Sequence, residues 1–163
     1  MSRVIATFGY VGLLPRAPGT FGSLAALPLA WLLHWAGGFP LFLGATLLVF
    51  VVGLWAAGRE IAGDGKSDPP EIVVDEVVGQ WIALFPLSAG LWMQGMPGYV
   101  FPYPGWIGAV VMFRLFDICK PWPVSWADRR PGAIGIMLDD VIAGAIAAFL
   151  LAFTAAVAHG ALM

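Results

Sequence analysis

The sequence predicts an all-α fold, a compact multi-pass membrane bundle of about four to five apolar helices. Three observations predict it. First, all eighteen charged residues fall in three stretches, Arg3–Arg16, Arg59–Glu76 and Arg114–Asp140, while the runs 17–58, 77–113 and 141–163 hold no Asp, Glu, Lys or Arg. A charged side chain at the bilayer centre costs about 2.5–3.5 kcal/mol on insertion scales, so charge-free runs of this length read as membrane segments. Second, a mean hydropathy of +0.87, with 60% hydrophobic residues and eight Trp, exceeds what the soluble core of a 163-residue chain needs. Third, Gly and Pro concentrate between the apolar runs, at Ala36-Gly37-Gly38-Phe39-Pro40 and over 94–105, as tight interhelical connections require. The chain, 1–163, reads as a single domain.

Taken in order, Arg3 and the apolar stretch Val4–Leu14 have the outline of a signal peptide. The following Pro15-Arg16-Ala17-Pro18 gives no A-x-A cleavage pattern, so the stretch is read as part of the working chain. Apolar segments follow at about 21–36, 40–58, 75–93, 99–116 and 137–158. The second and fifth approach the ~20 residues that span hydrocarbon. The first and fourth are shorter and carry Pro28, or Pro102 and Pro104, so they read as short, tilted or partly re-entrant. If all five cross, the N-terminus, the 59–74 loop and the 117–136 loop share one side with every Lys and Arg, and the positive-inside rule makes that side cytoplasmic. Trp31, Trp35, Trp92, Tyr99, Tyr103 and Trp106 then gather near the opposite interface as an aromatic belt.

Several chemistries are excluded. A net charge of −2 and the lack of a basic stripe interleaved with aromatics leave no case for nucleic acid. The single cysteine, Cys119, forms no intrachain disulfide or cysteine zinc site, and Ser125, not arginine, stands six positions on, so no cysteine-phosphatase loop exists. His34 and His159 lie in or beside apolar runs on the far side, away from any phosphohistidine role. Neither a D-x-D-x-[TV] nucleophile nor a G-x-x-x-x-G-K-[ST] loop is present.

The remaining polar chemistry is carboxylate-rich. Val73-Val74-Asp75-Glu76-Val77-Val78-Gly79 and Leu138-Asp139-Asp140-Val141-Ile142-Ala143 share a pattern of two acids, two apolar residues and a small residue about one turn on. Small residues there let two helices approach, so the acids can converge. One acid pair at a helix start only complements the helix dipole, by about 0.3–1 kcal/mol per acid. Two such pairs repel unless a cation sits among them, and hard oxygen ligands favour Mg²⁺. Asp75, Glu76, Asp139 and Asp140 are therefore the expected metal ligands. In Phe116-Asp117-Ile118-Cys119-Lys120-Pro121-Trp122-Pro123 the prolines oppose helix continuation and hold Asp117 and Lys120 at a segment end, with Lys120 a candidate phosphate binder. Arg16 and Thr20, in Leu14-Pro15-Arg16-Ala17-Pro18-Gly19-Thr20, precede a helix start, where an anion cradle and a simple helix cap both fit. Asp64 and Asp68 read as solvated loop acids.

The blocks L-P-R-A-P-G-T-F-G-S at 14–23, E-I-V-V-D-E-V-V-G-Q-W-I-A-L at 71–84, F-R-L-F-D-I-C-K-P-W-P at 113–123 and I-G-I-M-L-D-D-V-I-A-G at 134–144 together resemble the phosphatidylglycerophosphatase A family, over about residues 9 to 148. The resemblance implies a Mg²⁺-dependent phosphatase, all-helical, that converts the lipid phosphatidylglycerophosphate to phosphatidylglycerol at a bacterial inner membrane, its site at the cytoplasmic interface. Asp75, Glu76, Asp139 and Asp140 would then hold Mg²⁺ and activate water. Asp117 would be a further ligand or base, and Lys120, Arg16 and Thr20 would bind phosphate. One departure, Pro131-Gly132-Ala133 in place of a glycine-richer run, touches the loop and not the acids. The alternative is a divalent-cation transporter or channel using the same acids, for which acids at mid-membrane depth and on both sides would be expected. No feature sets an oligomeric state.

Overall fold

The computed structural model describes residues 1–64 and 69–160, and of Gly63, Asp64, His159 and Gly160 the backbone alone. Asp68 and the side chains of Asp64 and His159 therefore lie outside the described residues. The chain forms α1 (Ser2–Ala6), a 3-10 turn (Val11–Leu13), α2 (Pro18–Asp64), α3 (Val74–Ala83), α4 (Phe85–Met93), α5 (Tyr103–Cys119), α6 (Val124–Asp128) and α7 (Ala133–Gly160). No strand occurs among the described residues.

α2 opens on Pro18, whose fixed φ suits a first helical position. It breaks at Gly37 and Gly38. Gly38 has φ 64°, left-handed backbone open to glycine, and a side chain there would run into Trp92. The two arms fold back along one another, because residues on either side of the break meet α3 at matching heights. Gly22 faces Val73 and Gly53 faces Val74, while Trp81 donates its indole N–H to the Ala26 carbonyl (2.9 Å) and packs edge-on against Phe42.

Two helices are long and apolar enough to cross a membrane, α2 over Pro18–Ala62 and α7 over Ala133–Ala158. This corrects the expected four to five. The runs 21–36 and 40–58 are the two arms of α2, on either side of the break at Gly37 and Gly38. The run 75–93 divides at Leu84, because Pro86 has no N–H for the Ile82 carbonyl, and each piece rises only about 15 Å. The seventeen residues of α5 rise about 25 Å, short of a ~30 Å hydrocarbon core. Leu48, Val51, Phe149 and Phe153 on the two long helices are more than half exposed, an apolar exterior suited to lipid.

α3 is the central element, packed between α2 and α7 with Val74, Asp75, Val77, Val78, Gly79, Gln80, Trp81 and Ala83 buried. At its crossing with α7, a Cβ on Gly79 would run into the Phe113 ring and lie 2.7 Å from the Asp140 carbonyl oxygen, and one on Gly144 would overlap the Gly79 carbonyl oxygen. The small-residue contact expected at Gly79 and Ala143 is thus made by Gly79 and Gly144, with Ala143 buried beside it. This backbone-to-backbone approach brings the two acid pairs to one end of the bundle.

The opposite end is aromatic. Trp31 and Trp35 stack with ring centroids 5.7 Å apart, and Trp31 donates to the Tyr99 carbonyl (3.2 Å). Trp92 lies against Gly38, and Trp106 shares a hollow with Trp31.

Candidate active site

The starts of α3 and α7 and the end of α5 enclose a cavity of about 520 Å³, closed on its other sides by Ala17-Pro18-Gly19 and the 128–132 turn. All five acids singled out in the sequence, Asp75, Glu76, Asp117, Asp139 and Asp140, line it, and so does Lys120. Arg16 is exposed and Thr20 half-buried, and neither lines the cavity. From that segment it is the backbone at Gly19 that approaches, so closely that a Cβ would overlap the Glu76 carboxylate.

The acids divide into two groups. Carboxylate oxygens of Asp75, Glu76 and Asp140 lie within 4.8 Å of one another, on two helices joined at the Gly79–Gly144 crossing. The Glu76 N–H donates to Asp75 Oδ1 (3.0 Å). Burial pushes the Asp75 carboxyl well above the usual carboxylate range, and the Glu76 charge adds to it. Burial likewise raises Glu76 to about 8, against a lowering hydrogen bond with Asp75. Glu76 Oε2 is buried without a hydrogen-bond partner. Three crowded carboxylates with an orphaned oxygen fit a hard cation, which would neutralise the repulsion and give that oxygen a partner. These three residues could hold a metal ion.

Asp139 belongs to the second group. Its Oδ2 accepts from Lys120 Nζ at 2.6 Å, and Lys120 also pairs with Asp128. Lys120 caps α5 in left-handed backbone (φ 42°), a strained conformation for a residue with a side chain, and this turns its ammonium between the two acids. Burial works against its charge, but the hydrogen bonds to Asp128 and Asp139 outweigh it and hold the ammonium well above the usual lysine range. An ammonium has three donors, so one remains for a ligand. Asp117 is fixed by Arg114, whose guanidinium donates to Asp117 Oδ2 at 2.6 Å and also faces Glu76.

Four charged lining residues were not singled out from the sequence: Arg114, Asp128, Arg129 and Arg130. The spacing of Arg114 and Asp117 at i and i+3 is a signal that could have found the first. Asp128-Arg129-Arg130 reads locally as a solvated turn, and only the fold brings it over the acids.

Arginines and a lysine surround clustered carboxylates at the end of an apolar bundle, an arrangement whose charges could hold a phosphorylated ligand. The family model described as Phosphatidylglycerophosphatase A matches residues 4–155. The chain belongs to the phosphatidylglycerophosphatase A family. It is 38% identical to phosphatidylglycerophosphatase A of Escherichia coli over 143 residues, covering 87% of this chain and 76% of that protein. It is 38% identical to the Haemophilus influenzae protein of the same name over 144 residues, covering 87% and 80%. A Bacteroides thetaiotaomicron protein with the provisional name phosphatidylinositol-3-phosphatase is 36% identical over 146 residues, covering 86% and 85%. No solved structure matches the chain. Membership makes this chain an enzyme of the phosphatase class, and of the six acids in the family-like blocks all but Glu71 line the cavity.

Proposed function

We propose that the chain hydrolyses the phosphate monoester of phosphatidylglycerophosphate to phosphatidylglycerol and inorganic phosphate, with Mg²⁺ as cofactor, at the cytoplasmic face of a bacterial inner membrane. The observation that carries this reading is the convergence of Asp75, Glu76 and Asp140 within 4.8 Å, in a cavity that also holds Lys120 and Arg114. Asp75, Glu76 and Asp140 hold the ion, and all-oxygen donors suit Mg²⁺ over softer metals. Bound there, the ion supplies charge neutralisation for the phosphoryl group and a more acidic water. Asp139 lies beside the three and holds Lys120, and its Oδ1 is buried without a partner, free to join the ligand set. Lys120 and Arg114 bind the phosphoryl oxygens, oriented beforehand by Asp139, Asp128 and Asp117, so that little reorganisation is needed as charge develops. Asp117 is a further ligand or the base for the attacking water. Arg16 and Thr20, outside the cavity wall, act at most on the approach path.

A lipid substrate follows from location. The cavity sits at the charged end of a bundle with an apolar exterior, so acyl chains can stay in hydrocarbon while the headgroup enters. The names of the relatives describe two lipids that share one chemistry, a phosphate monoester lying beyond a phosphodiester. The cation-transporter reading gains no support: the acids cluster at one end, above the packed Gly79–Gly144 crossing.

The test is phosphate release by purified protein. Phosphatidylglycerophosphate should be turned over with Mg²⁺ and not in EDTA. Phosphatidylinositol 3-phosphate should be slower, and water-soluble glycerol phosphate much poorer, since remote acyl chains supply binding energy that orients the reacting group. Full activity in EDTA would sink the metal assignment, and equal turnover of lipid and soluble ester would sink the lipid site.

A further inference from the structure

Beside the acid cavity lies a smaller hollow of about 320 Å³, lined by Trp122, Ser125, Trp126, Arg129 and Arg130. The two cavities share a wall, because Arg129 and Arg130 line both. The Arg130 guanidinium sits 4.2 Å from the centre of the Trp126 ring. That contact orients the guanidinium and leaves its N–H donors unused. Among the described residues, neither Arg129 nor Arg130 pairs with a carboxylate, whereas Arg114 and Lys120 are both paired. Trp122 is 81% exposed at the charged end of the bundle, the level at which a lipid headgroup would lie. Two free guanidiniums and a hydroxyl, walled by indoles, match an anion carried on an amphiphile.

Resting on the phosphatase reading above, we propose that this hollow is the subsite for the phosphodiester of the lipid headgroup. Arg129 and Arg130 are its ligands, Ser125 is a neutral donor, and Trp122 and Trp126 seat it at headgroup depth. The division of labour follows from charge. The terminal monoester carries the charge that a metal cluster is suited to neutralise. The diester one glycerol away carries a single negative charge, which a guanidinium fork satisfies without metal. The shared wall sets the two anions side by side, so the enzyme selects lipids whose monoester lies outboard of a diester. Phosphatidate, with a monoester and no diester, would leave the hollow unfilled.

The test uses the full-length protein with Arg129→Gln and Arg130→Gln combined, and Arg130→Lys alone, each checked by thermal melting. Short-chain phosphatidylglycerol, which has the diester and no monoester, is titrated by calorimetry. Its affinity should fall about ten- to a hundredfold in the double variant, the loss expected for charge-assisted hydrogen bonds. Arg130→Lys, keeping charge but not the fork, should fall in between. Inorganic phosphate, the probe for the acid cavity, should lose several-fold less affinity than phosphatidylglycerol, which separates a lipid diester from a free anion. The preference for phosphatidylglycerophosphate over phosphatidate should drop by a similar factor, through KM more than kcat. Wild-type affinity for phosphatidylglycerol in the double variant, or equal losses on both substrates, would overturn the subsite. If wild type releases no phosphate from phosphatidylglycerophosphate while the variant still loses phosphatidylglycerol, the proposed reaction is wrong and the subsite stands.

Discussion

Neighbouring acids here have different partners because a helix turns successive side chains about 100° apart. Asp140 joins Asp75 and Glu76, while Asp139 reaches Lys120. Their substitutions should therefore differ. Asp140→Asn or Asp75→Asn removes a ligand charge at constant volume. Each should abolish both Mn²⁺ binding, followed by electron paramagnetic resonance, and phosphate release. The double variant should be little worse than either single one, because a cluster acting as a unit is lost once. Asp139→Asn should keep measurable metal binding but lower kcat by roughly a hundred- to a thousandfold, the cost of losing one preorganised electrostatic group. Glu60→Gln, outside the cavity, should match wild type. An active Asp140→Asn beside an inactive Glu60→Gln would move the chemistry to the last turns of α2. The paired acids were legible in the sequence because carboxylates opening apolar runs are costly and need a reason. Arg129 and Arg130 were not, since a charged turn has the same local pattern whether it faces water or a cavity. Arg16 and Thr20 met the local rule for an anion cradle, yet the chain turns at Ala17 (φ 47°) and the cavity wall is formed by the residues after Arg16 instead.

The decisive packing event among the helices is the crossing of α3 and α7. Gly144 is required there by space, since any Cβ would overlap the Gly79 carbonyl oxygen. Gly44, on the lipid-facing side of α2, has nothing within 4 Å of the same position. Gly144→Ala should destabilise the protein by about 1–3 kcal/mol through overpacking. It should also lower metal affinity, because parting α3 from α7 parts Glu76 from Asp140. Gly44→Ala should be neutral or stabilising by up to about 1 kcal/mol, the usual gain over glycine inside a helix. Thermal melts in detergent with a parallel metal titration decide it. Equal tolerance at the two sites would mean that the crossing does not hold the site together. Segment positions were legible from hydropathy, but the helix count was not. The turn at Gly37-Gly38 was legible from its glycines, but apolar character continues through Leu84, where Pro86 ends the hydrogen-bond ladder.

The whole molecule is polarised along the bundle axis. α2 starts and ends at the charged end, α5 finishes there, and α3 and α7 begin there, while the stacked tryptophans mark the Gly37-Gly38 end. α7 rises about 42 Å over its 28 residues, more than the ~30 Å of hydrocarbon, and only its first turns carry acids. A helix of that length and character is long enough to place its two ends on opposite faces of a bilayer. A reporter inserted between Asp64 and Pro69 should therefore be cytoplasmic, on the side where Lys and Arg collect. A reporter fused after Met163 should be periplasmic. Alkaline phosphatase and green fluorescent protein fusions read the two faces independently, one active only outside and the other only inside. Both fusions reporting the cytoplasm would mean that α7 does not cross, and the cavity would then face lipid from a protein lying on the bilayer. Opposite reports place the acid cluster at the cytoplasmic headgroup level, where a lipid can present its phosphate without its chains leaving hydrocarbon.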